Sequence, residues 1–329
     1  MTTADATLLM DMSGVARLAG VQRAVVSMWR SRAASTADPF PAPASDDAGR
    51  PRFDADEVAD WLVRTGHGNN TSAREDAAAA AAPSGFSFTD RSHVAELEAL
   101  ITLIALADAD EETSPEQLEA LSVDLDPDDQ FLSREVAAQM RRGVPWTGFA
   151  VRIIDAAYSP AEALAVVARR AEGAGSASGS ASPLTAPTVA LVTDMTRALL
   201  EEAGPSVIVD PHDVELSVGI AREVGEDATV AIPDGAEARR LRRRLLTGGI
   251  PVSAASELGV VTVTRVPARR DDDTVAMLTS VEEVALSMRD ADAAIVVGPA
   301  RALVDAIAPG AERIRADILR TGRVRAMVR

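Results

Sequence analysis

The apolar positions of this chain follow a helical period first and a strand-like run pattern later. In residues 14–32, Val15, Leu18 and Ala19 share one helical face, Gly20 interrupts it, and Val21, Val25, Met28 and Trp29 recur at three- and four-residue spacing. This predicts a short helix, a tight glycine turn and a second helix with its own buried stripe. Residues 39–43, Pro-Phe-Pro-Ala-Pro, are predicted to be extended, and Arg50-Pro51-Arg52-Phe53 reads as the return arm of a short β-ribbon. A third helix is predicted to start at Asp54 as N-cap, with Glu57 three residues later and Val58, Trp61 and Leu62 facing inward.

Further along, Val94, Leu97, Leu100, Ile101, Ile104 and Leu106 form one helical stripe, and Phe149, Ile153, Ile154 and Tyr158 form another. Ser114-Pro115-Glu116 marks a capped helix start between them. After residue 183 the pattern changes to apolar runs at 207–209, 229–232, 260–263 and 293–297, separated by helical stretches such as 189–202 and 236–247. Continuous Val and Ile runs, rather than strict alternation, predict strands covered on both faces. The expected architecture is therefore α/β, with a largely parallel sheet and crossover helices.

Two low-complexity stretches divide the chain, one around residues 66–85 with an alanine run and one at 173–182 rich in Gly, Ala and Ser. The expected organisation is a tail at 1–12, a helix-turn-helix module at 13–66, a linker at 67–85, a helical domain at 86–172, a linker at 173–182 and an α/β domain at 183–329. No internal repeat is visible.

The chain carries a formal net charge of −17 in 329 residues, so self-repulsion from phosphate excludes indiscriminate coating of nucleic acid. Any nucleic-acid contact must be focal. No acidic residue lies between Ser13 and Ala37, and Gln22, Arg23, Ser27, Arg30 and Arg32 fall opposite the predicted buried stripe. Gln22, Arg23, Ser27 and Arg30 are the candidates for base edges, and Arg32, Arg50 and Arg52 for phosphates. A plain three-helix packing domain with a solvated arginine face fits the same pattern. Every basic residue is arginine, which coding bias toward GC explains as well as nucleic-acid preference.

There is no cysteine, and His67, His93 and His212 are scattered, so neither a disulfide framework nor a zinc site is expected. The aspartates at 108, 110, 124, 126, 128 and 129, with Glu111 and Glu112, lack the glycine of a calcium loop and read as solvated turns. The N-terminus has no basic residue and no apolar run approaches membrane-spanning length. A cytoplasmic protein of bacterial type, with no membrane contact, is expected.

Residues 13–66, with Phe-Pro before the ribbon and Phe-Asp-x-x-x-Val-x-x-Trp-Leu after it, resemble the winged-helix modules of the excisionase and MerR type. That resemblance implies double-stranded DNA as partner. The order of this module, an acidic helical segment, Leu184-Thr185-Ala186-Pro187, a helix and then Val207-Ile208-Val209-Asp210-Pro211 is similar to the adenine-specific DNA methylases of restriction-modification M subunits. The ending from Ile314 to Arg329 is similar as well. This resemblance implies a Rossmann-like methyltransferase-type domain that binds S-adenosylmethionine, with methyl transfer to the exocyclic amine of a flipped adenine. It also implies further chain beyond Arg329, residues 324–329 reading as the beginning of an exposed strand.

The motifs of that chemistry are altered here. Asp210 and Pro211 remain, but the glycines expected after them are replaced within His212-Asp213-Val214-Glu215-Leu216-Ser217, and side chains obstruct the close backbone approach the cofactor needs. At the end of the second strand the expected ribose-binding acid is Ile232, with Asp234 displaced by two positions. After the third strand stands Thr264-Arg265-Val266-Pro267-Ala268, without the amide or carboxylate and the aromatic of the catalytic motif. No Phe, Tyr or Trp follows Tyr158. The expectation is a DNA-binding pseudoenzyme without cofactor, with Asp210, Pro211 and Asp234 as remnants of a cofactor site. The competing expectations are an active methyltransferase using S-adenosylmethionine, and a protein-interaction subunit of a restriction or phage-defence assembly. A methylase or specificity subunit, or a second copy of the chain, would then be its protein partner.

Overall fold

The computed structural model describes residues 7–32, 37–47, 49–143, 146–174, 184–225, 228–233, 235–254, 259–266, 274–305 and 307–328. The chain divides into two compact units, residues 1–176 and 177–329.

The first unit opens with strand β1 (Leu8–Met10) and helix α1 (Met12–Leu18), whose N-cap Asp11 accepts from the Gly14 N–H at 2.7 Å. Gly20, at φ +65°, makes the left-handed turn into helix α2 (Arg23–Arg32). Strands β2 (Ser45–Asp47) and β3 (Arg50–Asp54) form the expected ribbon, in antiparallel register Ser45↔Arg52, Asp46↔Pro51 and Asp47↔Arg50. Helix α3 (Ala55–Thr65) is capped by Asp54, which accepts from Asp56 and Glu57 N–H groups, and buries Val58, Trp61 and Leu62.

Two expectations for this region change. The first twelve residues are not all tail, because β1 pairs with β3 on one side and with β4 (Ala82–Pro83) on the other, giving the order β2-β3-β1-β4. Residues 67–85 are not a free linker either. They contain helix α4 (Ala77–Ala80), and Ala73, Ala77, Ala78, Ala80, Ala81 and Ala82 are all buried. Alanine packs here because its small side chain lets backbones approach closely; a Cβ added at Gly14 of α1 would lie 3.0 Å from the Ala80 carbonyl oxygen.

Helices α5 (Arg91–Ala107), α6 (Pro115–Leu125), α7 (Ser133–Arg141), α8 (Thr147–Ala157) and α9 (Pro160–Gly173) complete the unit. One continuous core runs from Leu8 to Ala171, so the helix pair with its ribbon and the helical segment fold as a single body rather than as separate domains. The predicted stripe of α5 holds for Val94, Leu97, Leu100 and Ile101, while Leu106 is exposed. The start of α6 has its capping box, Ser114 with Gln117. Tyr158 is not part of the α8 stripe. It caps the helix in a left-handed conformation at φ +60° and is 78% exposed.

The second unit is α/β. Helix α10 (Ala186–Ala203) precedes β5 (Ser206–Val209), α11 (Val214–Val224), β6 (Thr229–Ala231), α12 (Ala236–Thr247), β7 (Val260–Arg265), α13 (Thr274–Ser287), β8 (Ala293–Val297), α14 (Ala300–Leu303) and α15 (Pro309–Arg320). The four strands are parallel in the order β6-β5-β7-β8. A single-residue parallel bridge, Val230↔Val252, with the Ser253 N–H donating to the Val230 carbonyl at 3.0 Å, adds a rudimentary fifth strand beyond β6. Counted along the chain, the order across the sheet is then 3-2-1-4-5, the doubly wound Rossmann-like order. Residues 323–328 form no strand, contrary to expectation, and Arg323 and Arg325 are engaged within the unit. Arg323 donates to the Ala285 and Met288 carbonyls at the end of α13, and Arg325 pairs with Glu202 at 2.7 Å.

Candidate nucleic-acid interface and cofactor crevice

Helix α2 buries Val26 completely and packs Trp29 against two rings, tilted at 52° to Trp61 with centroids 5.8 Å apart and edge-on to His67 with centroids 5.1 Å apart. Val21 and Val25 are half-buried. Met28 is 39% exposed, which corrects the expected stripe. Two positions after Val26 on a 3.6-residue helix, Met28 is turned about 200° away from the buried centre. The helix is therefore rotated so that Arg23, Ala24, Ser27, Met28 and Ser31 lie outward, with Gln22, Arg30 and Arg32 also exposed.

Among the described residues the arginines of this unit divide into those paired with carboxylates and those that are not, Arg17, Arg141 and Arg169 being among the unpaired ones outside this surface. Arg64 pairs with Asp38 at 2.9 Å, Arg74 with Asp60 at 2.6 Å, Arg142 with Glu96 at 2.7 Å and Arg152 with Asp56 at 2.6 Å. Among the described residues, Arg23, Arg30 and Arg32 of α2 and Arg50 and Arg52 of β3 have no such carboxylate partner. The Arg30 guanidinium carbon lies 5.8 Å from the centroid of the Phe53 ring, which ties the end of α2 to the ribbon. The ribbon is electrically mixed, since Asp46 and Asp47 on β2 stand across from Pro51 and Arg50.

The turn of the helix pair is braced by residues that sequence reasoning assigned to a linker. The Asn69 backbone N–H donates to the Ala19 carbonyl at 2.8 Å, and its side chain to Gly20 at 3.0 Å. Asn70 Nδ2 donates to the Leu18 carbonyl and to Asp76, both at 2.9 Å, while its Oδ1 accepts from the Ser72 N–H. Gly68, at φ +88°, permits this approach: a Cβ there would sit 2.6 Å from the Ala19 oxygen. The open carbonyls at the end of α1 are thus satisfied by a segment about fifty residues away. An Asn-Asn pair beside glycines was the only signal in the sequence.

In the second unit, ligands of doubly wound folds sit at the carboxyl ends of the strands where the order reverses, here between β5 and β7. Asp210 is at that point and is buried. Its Oδ1 accepts from the His212 N–H at 2.8 Å, and its Oδ2 accepts from Thr264 Oγ1 at 2.8 Å and from the Arg265 N–H at 3.1 Å. Ser217 donates to its carbonyl at 2.6 Å. Asp213 caps α11 through the Leu216 N–H and pairs with Arg265 at 2.8 Å, both side chains being 15% exposed. The N-terminus of α11, where an anionic ligand group would be held, therefore carries the protein's own carboxylate.

These residues do not fit S-adenosylmethionine. The carboxylate of Asp213 would repel that of the cofactor, and no glycine lies between Asp210 and Ser217. Pro211 is buried, Ile232 is 8% exposed, and Asp234 lies outside the described residues, as do Pro267 and Ala268. Arginines of α12 that look like a surface run in sequence are partly inward: Arg239, Arg243 and Arg244 are buried, and Arg244 reaches Glu215 at 3.1 Å. Among the described residues no group of three or more His, Asp or Glu is placed to hold a metal ion, and no helix is long and apolar enough to cross a membrane.

Comparison with protein-family models, with curated proteins and with solved structures finds no match for this chain.

Proposed function

We propose that this protein binds duplex DNA through α2 and the β2–β3 ribbon of its first unit, and that its Rossmann-like second unit serves as a scaffold or partner surface without S-adenosylmethionine chemistry. The observation that carries the reading is the set of five arginines without carboxylate partners, Arg23, Arg30, Arg32, Arg50 and Arg52, on one helix and its adjoining ribbon. In a chain of net charge −17, where Arg64, Arg74, Arg142 and Arg152 are each paired with a carboxylate, five unpaired arginines on one helix and the ribbon beside it favour a polyanion. The helix, glycine turn and helix with an exposed outer face is the shape that enters a major groove.

The test is fluorescence anisotropy of the full chain with labelled duplex DNA across a salt series. Binding at low salt that weakens steeply with salt is expected, and R23A/R30A should lose at least tenfold affinity with a shallower salt slope. Equal affinity of wild type and variant would overturn the reading.

A second reading, S-adenosylmethionine-dependent adenine methylation, draws support from the strand order 3-2-1-4-5 alone. The partners of Asp210 and Asp213 weigh against it. Calorimetric titration of S-adenosylmethionine into the full chain separates the two: heat of binding favours the methylase, and its absence favours the scaffold.

A further inference from the structure

The outward face of α2 carries two ridges at four-residue spacing. One is polar, Arg23 followed by Ser27, and the other is apolar, Ala24 followed by Met28. We propose that these ridges read a G·C pair lying beside a T·A pair in the major groove, with Arg23 on the guanine and Met28 with Ala24 on the thymine methyl. The proposal rests on the duplex-DNA reading above and adds which bases are recognised.

Arg23 is exposed, has no carboxylate partner among the described residues and stands in the first turn of α2, the part of a reading helix that reaches base edges. Guanine offers O6 and N7 as adjacent acceptors, a match for two guanidinium N–H groups that no other base provides in this groove. Ser27 donates its hydroxyl proton to the Arg23 carbonyl at 3.2 Å. Ser27 is exposed and its oxygen keeps its capacity to accept, which suits the exocyclic amine of the cytosine or adenine on the opposite strand.

Met28 gives the second half of the argument. It is 39% exposed on a face otherwise made of Arg, Ser and Ala, where a thioether side chain gains nothing from water. The thymine 5-methyl is the apolar group that a major-groove edge presents. Arg30, a base-edge candidate in the sequence, lies over the Phe53 ring of the ribbon, so it joins Arg32, Arg50 and Arg52 as a phosphate contact.

Selection of the full chain against a randomised duplex pool at low salt, followed by base-analogue competition on an enriched duplex, tests this. Enriched sequences should share a guanine next to a thymine. Replacing that guanine with 7-deazaguanine, which lacks N7, should weaken binding about tenfold. Replacing the thymine with deoxyuridine should weaken it about threefold to fourfold, the worth of one buried methyl. R23A should lose the guanine preference and keep discrimination between thymine and uracil, and M28S should do the reverse. Enriched duplexes without guanine, or equal binding of either analogue, would overturn the proposal while leaving DNA binding intact. A failure to hold any duplex at low salt would overturn both.

Discussion

Thr264 Oγ1 donates a hydrogen bond of 2.8 Å to Asp210 Oδ2, joining the carboxyl ends of β5 and β7 at the point where the order of the sheet reverses. Open doubly wound sheets keep this crevice for ligands. Here the carboxylate is already committed to Thr264, to the Arg265 N–H and to the His212 N–H, so it acts as a staple between two strands.

Thr264→Val tests that role. The isosteric change removes the hydroxyl donor and leaves part of a buried carboxylate without its partner. A loss of about 1–2 kcal/mol is expected. Chemical denaturation of the full chain, followed by a probe in the second unit, should show the lowered midpoint. An unchanged midpoint would mean that water replaces the hydroxyl and that the crevice is open.

Asp126 governs a different junction. Burial penalises its charge, but the N–H groups of Phe131, Leu132, Gln130 and Ser133 outweigh that penalty and hold the carboxyl below its ordinary value of 3.8. A carboxyl lowered on folding contributes stability that is complete above its unfolded pKa and is lost as the pH falls through the folded one. Asp126→Asn should therefore lower the stability of the α6–α7 corner at neutral pH and flatten the acid limb of the first unit's stability below about pH 4. Urea titrations of both proteins at neutral and acid pH measure it. Parallel pH profiles would contradict the assignment.

Asn70→Ala should loosen the helix-turn-helix without touching its outer face. Its amide serves the Leu18 carbonyl, Asp76 and the Ser72 N–H, so truncation exposes three groups at once. A cost of about 2–3 kcal/mol is expected. Hydrogen exchange should speed up at the end of α1 and the start of α2 before it does so in α3. Uniform exchange rates across all three helices would show that the brace is not local.

Much of this arrangement is legible in sequence, for identifiable reasons. The strands of the second unit begin and end within about two residues of the Val and Ile runs, because covered parallel strands show as unbroken apolar segments. Helix α12 spans the expected residues because Gly235 and Gly248 flank it. Other parts leave no periodic trace. An alanine run has no polar positions to set its phase, so α4 and β4 read as a linker. Strand β1 is three residues long, and the Val252 bridge only one. The buried centre of α2 lies one position from the expected stripe, because Val25 and Val26 are equivalent by type and only tertiary packing decides which of them is covered. Asp210 and Thr264 are 54 residues apart, and no local pattern links them.

The ribbon supplies the last prediction. Arg50 and Arg52 flank Pro51 on β3, and Asp46 stands directly opposite that proline on β2, exposed to solvent. Side chains alternate along a strand, so Asp46 lies on the ribbon face opposite Arg50 and Arg52, and it repels a phosphate strand held by those arginines from across the ribbon. Asp46→Asn removes that repulsion without altering length or shape. Two unit charges about 10 Å apart near a protein surface interact by about 1 kcal/mol or somewhat more before screening, so a gain of about threefold to tenfold in DNA affinity is expected at low salt. At physiological ionic strength, with a screening length of about 8 Å, the gain should shrink to about twofold. Anisotropy titrations at the two salt concentrations read both numbers. In an R50A/R52A background the gain should be smaller, because the ribbon is then no longer drawn to the backbone. An Asp46→Asn variant that binds DNA no better than wild type at low salt would place the ribbon away from the duplex and leave α2 as the sole contact.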